Sequence, residues 1–136
     1  RSTVDLSCVF CKSEMEAVNH SVLLCPFVWQ IWACIIDWWG LSWATPRSVD
    51  CLFQWWMSWN FRKKERQFWR AIPSAEVWFV WKCRNECIFS DKQPILEELC
   101  ELIKVQLALW LKTFDCGCSY AVGDIVRNIH LVRKFI

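Results

Sequence analysis

The sequence predicts a mainly α-helical protein, a tryptophan-rich bundle of about four to five helices behind a short Cys- and His-bearing segment, because apolar residues recur at spacings of three and four. Composition supports this. The chain has 136 residues and a hydrophobic fraction of 55%, enough for one core and too short for two large domains. It carries 12 Trp but only 3 Gly and 4 Pro, which leaves little material for the turns of an all-β architecture.

The first element is a metal-ligand pattern. Cys8, Cys11, His20 and Cys25 stand in the order C-x2-C-x8-H-x4-C, a CCHC arrangement. Two thiolates two residues apart sit on one side of a tight turn, and a later His and Cys close the tetrahedron that Zn2+ accepts. With every position filled by protein, none is left for water or substrate, so the expected metal holds the fold and does no catalysis. Lys12, Ser13, Glu14 and Glu16 supply a polar loop between the two halves. The competing reading is scattered buried thiols, since the chain has 10 Cys. The knuckle is expected over residues 1–30, leading into the first helix, with residues 26–136 a helical bundle packed with it as a single domain. Thiols beside a zinc-type cluster point to a reducing, intracellular setting, nucleus or cytoplasm, rather than a secreted disulfide framework. No secretory signal is visible at the start, and the first residue is Arg rather than Met, as in a fragment of a longer chain.

Val22 to Trp43 is rich in Leu, Ile and Trp, but Pro26, Gln30, Asp37 and Gly40 interrupt it. An aspartate near the middle of a membrane span is costly, so a buried helix beginning at Pro26 is expected instead. Proline suits a first helical turn because its missing N–H has no partner there. Val28, Trp32, Ile35 and Trp39 fall on one face, and Gly40 ends the helix. After a loop around Thr45, Pro46 and Arg47, Ser48 is the N-cap of a second helix holding Leu52, Trp55, Trp56 and Trp59, an aromatic and mostly buried element. A third segment runs from about Lys64 to Phe89, and Pro73 either kinks it or divides it in two. The fourth has Pro94 near its start, Glu97 and Glu98 in its first turns and Lys112 near its end, charges that suit the helix dipole. Its Leu96, Leu99, Ile103, Leu107, Trp110 and Phe114 draw a continuous apolar stripe against the bundle, and Cys116-Gly117-Cys118 breaks it. Asp124 to Phe135 is either a last amphipathic piece or a frayed tail.

Cys8-Val9-Phe10-Cys11, Glu16, His20, Cys25-Pro26-Phe27 and Trp32 occur in a characteristic order, followed about fifty residues later by Trp78-Phe79-Val80-Trp81-Lys82-Cys83-Arg84-Asn85-Glu86-Cys87-Ile88-Phe89. Together they resemble the zinc-binding segment that lies C-terminal to the polymerase in plant LINE-type, non-LTR retrotransposon reverse transcriptases, with its W-x-x-W-K-x-R-N-x-x-I-F block. The resemblance covers residues 5–92. It implies that Cys8, Cys11, His20 and Cys25 are the metal ligands. The paired catalytic aspartates of the polymerase, the endonuclease and the acidic quartet of a ribonuclease H are not recognisable, so no enzymatic activity is expected.

Net charge is +2, yet the chain is uneven, with three basic against five acidic residues up to Phe61 and thirteen against nine beyond it. Arg62, Lys63, Lys64, Arg66 and Arg70 cluster beside Trp59, Phe61, Phe68 and Trp69. Cations neutralise phosphates and exposed aromatic faces stack on unpaired bases, so this cluster is either a contact for RNA or single-stranded DNA or a solvated helix face. Lys12 and an exposed Val9 or Phe10 add a second candidate contact, although Glu14, Glu16 and the net negative charge of a three-thiolate zinc site oppose phosphate binding there. In the Trp78–Phe89 block, Val77, Trp81, Arg84 and Ile88 share one helical face and Trp78, Asn85 and Phe89 a neighbouring one, and aromatics at this spacing are expected to pack a core rather than hold a ligand. Cys83, Cys87, Cys116 and Cys118 make a four-sulfur second metal site only if the fold unites them, and His130 has no neighbouring ligands. The leading functional class is a non-catalytic zinc module that contacts nucleic acid. The alternative is a structural or protein-interaction domain whose exposed tryptophans bind a partner protein or a second copy.

Overall fold

The computed structural model describes residues 8–12, 19–42 and 46–136, and among them every regular element is helical. Ser13, Glu14, Glu16, Trp43 and Thr45 lie outside the described residues. A wide π-type turn over His20–Leu24 precedes six helices: α1 (Pro26–Trp39), α2 (Val49–Ser58), α3 (Lys63–Ser90), α4 (Leu96–Phe114), α5 (Val122–Arg127) and α6 (Ile129–Phe135). No helix among the described residues is long and apolar enough to cross a membrane.

Helix α1 begins and ends where its punctuation places it. Pro26 occupies the first turn, and Gly40 closes the helix at φ 106°, a left-handed conformation that side chains resist. The N–H groups of Gly40 and Leu41 both reach the carbonyl of Ile36, at 3.2 and 3.1 Å, which satisfies an end carbonyl of the helix. Val28, Trp32, Ile35 and Trp39 are all fully buried. Helix α2 is capped by the Ser48 hydroxyl, which accepts the Cys51 N–H at 3.2 Å. It is less buried than its composition predicts. Leu52 and Trp56 alone are buried in it, Trp55 is half-exposed, and Trp59 lies past its end as the C-cap.

Helix α3 runs unbroken through Pro73. Proline has no N–H to offer the carbonyl four residues back, so the carbonyl of Trp69 loses its helical partner. The indole N–H of Trp56 takes that place at 2.8 Å. In return the Trp69 indole N–H donates to the carbonyl of Trp56, also at 2.8 Å, one of the last carbonyls of α2 and without a helical partner of its own. The two rings lie face to face, centroids 4.0 Å apart and 7° from parallel. One pair of residues thus meets two backbone demands while burying two indoles, and the kink-or-break question is answered by a partner from another helix.

Helix α4 packs against α3 and α1 through Leu99, Ile103, Leu107 and Leu111. The C-terminal stretch is not frayed: Ile125, Ile129 and Val132 are buried in two short helices. Trp38 of α1 donates its indole N–H to the Val126 carbonyl at 2.7 Å. Arg133 of α6 lies 4.2 Å over the Trp39 ring, donates to the Trp39 carbonyl at 2.6 Å and pairs with Glu65 at 3.1 Å. A cation at the C-terminal end of α1 is favoured by the helix dipole as well as by the ring beneath it.

Three side chains keep buried polar atoms without a hydrogen-bond partner among the described residues: the indole N–H groups of Trp39 and Trp59, and Glu76. Glu76 of α3 is fully buried, and neither carboxylate oxygen has a hydrogen-bond partner among the described residues. Burial holds its pKa well above the ordinary carboxylate range, and the nearby Cys34 thiol acts in the same direction. Cys34 itself is drawn down to about 6, chiefly by a hydrogen bond from Cys100 of α4 and, more weakly, by the Lys104 ammonium.

Candidate functional site

The segment before α1 brings Cys8, Cys11, His20 and Cys25 together, with all four ligand atoms within 4.8 Å of one another, close enough to bind one metal ion. Two backbone turns do this. Residues 8–12 close on a hydrogen bond from the Lys12 N–H to the Cys8 carbonyl at 2.8 Å, with Lys12 at φ 58°. The His20–Leu24 turn closes on a bond from the Cys25 N–H to the His20 carbonyl at 2.9 Å, so the x4 spacing spans one wide turn and sets its ends side by side. Trp32 anchors the turn from α1, its indole N–H donating to the Val22 carbonyl at 2.7 Å.

Within the cluster, the sulfurs of Cys8 and Cys25 are 3.7 Å apart and the Cys11 sulfur is 3.3 Å from His20 Nε2. Cys8 and Cys25 are buried, while Cys11 and His20 are half-buried. Burial pushes the Cys8 thiol up to about 12, against the amides of Cys11 and Phe10, which favour the thiolate. Burial also raises Cys25, against the amides of Val28 and Phe27 at the start of α1. Two sulfurs removed from water, each beside amides that favour negative charge, form a donor set that a bound cation completes by holding them as thiolates. Phe10 is not a free stacking face, because it is packed on Phe27 with centroids 4.9 Å apart.

The second thiol group does not assemble. Cys83 and Cys87 sit toward the end of α3, Cys83 lining a hollow with the start of α4 and Cys87 another with Val9, Phe10 and Lys12, whereas Cys116 and Cys118 follow the far end of α4. No other cluster of three or more metal-type ligands forms among the described residues, and none of the 10 cysteines is in a disulfide. His130 is exposed.

The five basic residues separate into two groups. Arg62 pairs with Glu65 at 2.7 Å and also donates to the Arg133 carbonyl, and Lys64 pairs with Asp115 at 3.1 Å, so both are engaged within the fold. Lys63, Arg66 and Arg70 instead line a groove of about 570 Å³ between the start of α3 and the end of α4, together with Gln67, Ala71, Trp110 and Phe114. None of these three cations has an acidic partner among the described residues.

The aromatic neighbours differ from those adjacent in sequence. Phe68 and Trp69 are core residues at 1% and 0% exposure, and Trp59 stacks on Phe61, so none of the four presents a free face to this groove. Trp110 and Phe114 of α4 stand beside the cations instead, half-exposed at the end of a stripe whose Leu99, Ile103 and Leu107 are buried. A larger departure concerns the Trp78–Phe89 block, expected in the core. Trp78 is 54% exposed, Trp81 51% and Phe89 82%.

Compared with protein-family models, with curated proteins and with solved structures, the chain matches none.

Proposed function

We propose that this chain is a non-catalytic zinc-binding module of the reverse-transcriptase-associated kind, which binds RNA or single-stranded DNA along α3. The convergence of Cys8, Cys11, His20 and Cys25 within 4.8 Å carries the zinc assignment. Zinc–sulfur bonds of about 2.3 Å in a tetrahedron give ligand edges of about 3.8 Å, and the sulfurs of Cys8 and Cys25 stand 3.7 Å apart. Three thiols and an imidazole are a set that zinc favours over the harder oxygen-seeking cations. Four protein ligands make the metal a staple that fixes residues 8–12 and 19–25 to the start of α1.

The nucleic-acid half of the reading rests on the groove of Lys63, Arg66 and Arg70 with Trp110 and Phe114. Cations without internal partners attract phosphates and release counterions, and half-exposed rings beside them offer faces for unpaired bases. Three such contacts to a single strand give a slope of log affinity against log salt of about −2.

Elemental mass spectrometry on protein purified under reducing conditions tests the metal. One zinc per chain is expected, lost in Cys25→Ser, and no stoichiometric zinc sinks the assignment. For the groove, the double substitution Arg66→Glu and Arg70→Glu is expected to abolish salt-sensitive oligonucleotide binding without changing the helical circular dichroism. Undiminished binding removes the groove from the proposal.

A further inference from the structure

We infer that the exposed Trp78–Trp81 pair is a base-stacking subsite for the same single strand whose phosphates lie on Lys63, Arg66 and Arg70; the inference rests on the nucleic-acid reading above. The chain buries Trp32, Trp39, Trp56 and Trp69 completely, yet leaves these two indoles more than half exposed on α3. Their rings are stacked, centroids 5.5 Å apart and 27° from parallel, and neither has another aromatic partner among the described residues. They stand over a concavity of about 500 Å³ with Phe53, Pro73, Ser74 and Val77.

The pair continues the basic groove. At 3.6 residues per turn, Lys63, Arg66, Gln67, Arg70, Ser74, Val77, Trp78 and Trp81 fall on one side of α3, and Glu65, Phe68, Trp69, Ile72, Glu76 and Val80 on the other. Burial agrees, because all six of the second set are buried. At 1.5 Å per residue the stripe is about 27 Å long, cationic at one end and aromatic at the other. Its charge has one sign: between Lys63 and Trp81 the acidic residues are Glu65 and Glu76 alone, both on the buried side. A ligand that complements this surface carries negative charge at regular intervals and flat apolar faces between. A single strand presents both, whereas in a duplex the base faces are already stacked on one another.

Fluorescence anisotropy of a labelled oligo(dT) of roughly a dozen nucleotides, a length within the usual range for single-strand grooves, tests this with the full chain. The Trp78→Ala/Trp81→Ala variant is expected to bind roughly tenfold to hundredfold more weakly, with an unchanged salt slope because no charge is lost. Trp78→Tyr/Trp81→Tyr is expected to recover most of that affinity, and binding of a duplex is expected to be the same for all three proteins. If the Ala variant binds oligo(dT) like the parent while Arg66→Glu/Arg70→Glu does not, the stacking subsite is wrong and the groove stands. If the parent binds no oligonucleotide, both readings fall. If the Ala variant keeps its oligonucleotide affinity but loses a self-association seen by sedimentation in the parent, the patch is a protein contact and the inference is overturned.

Discussion

Trp56 and Trp69 stack at 4.0 Å with both indole N–H groups satisfied, deep in a core that also encloses Trp32 and Trp39. Of residues 8–12 and 19–25, Cys8, Leu23 and Cys25 are fully buried, and the sulfurs of Cys8 and Cys25 stand 3.7 Å apart where this segment joins the apolar cluster. The bundle holds itself together through apolar area and ring stacking, terms that need no ligand. The knuckle converges on three thiols and an imidazole, and the thiols would repel one another as thiolates, a repulsion that a bound cation would remove. One chain therefore contains a region that specifies its own packing and a region whose four Cys and His side chains lie close enough to bind a metal ion.

The largest expected effect attacks the self-sufficient region. Trp69→Ala removes a fully buried indole and also the donor to the Trp56 carbonyl, and is expected to cost about 3–5 kcal/mol of unfolding free energy in urea. A cost below about 1 kcal/mol in that titration denies the stacked pair its central place.

Chelation attacks the other region. Removing the metal under reducing conditions is expected to erase hydrogen-exchange protection in residues 8–12 and 19–25 while α3 and α4 keep theirs. Uniform loss along the chain makes the bundle as metal-dependent as the knuckle and dissolves the contrast.

The smallest expected effect concerns Glu76, the fully buried carboxyl of the apolar region with neither oxygen hydrogen-bonded. Its folded-state pKa is raised above the ordinary 4.5, so the native state keeps a proton that the unfolded chain releases, and stability falls as pH rises through and beyond that value. Replacing it by the neutral Glu76→Gln is expected to stabilise the protein by about 1–3 kcal/mol at neutral pH, with the gain shrinking as pH drops below the ordinary carboxylate value. Cys34 and Cys100 face this carboxyl from α1 and α4, so a Cys34→Ala background is the control for their titration. Melting curves at two pH values that show no such difference place a stabilising partner on Glu76.

Local chemistry was legible wherever a residue acts on its own turn. Pro26, Gly40 and Ser48 mark helix boundaries because a missing N–H, a left-handed φ and a hydroxyl acceptor each act within a few residues. The convergence of the four candidate ligands was legible for a related reason, since each half of the set is closed by a single short turn. Trp78 and Trp81 were not. Periodicity places them on neighbouring faces of α3, but apolar residues occupy every side of that stretch, so the pattern gives relative phase without saying which face meets the core.

What the sequence by itself determined is thus the mainly helical fold class, the ends of α1 and the start of α2, and the two short turns that carry the four candidate metal ligands, all governed by contacts within about one turn. Tertiary structure alone decided that Trp56 replaces the hydrogen bond missing at Pro73, that Arg62 and Lys64 are engaged within the fold while Lys63, Arg66 and Arg70 line an open groove, and that Trp110 and Phe114 join them. Each of those outcomes depends on which helix lies against α3. Burial is a property of the partner surface as much as of the residue, and no local rule carries that information.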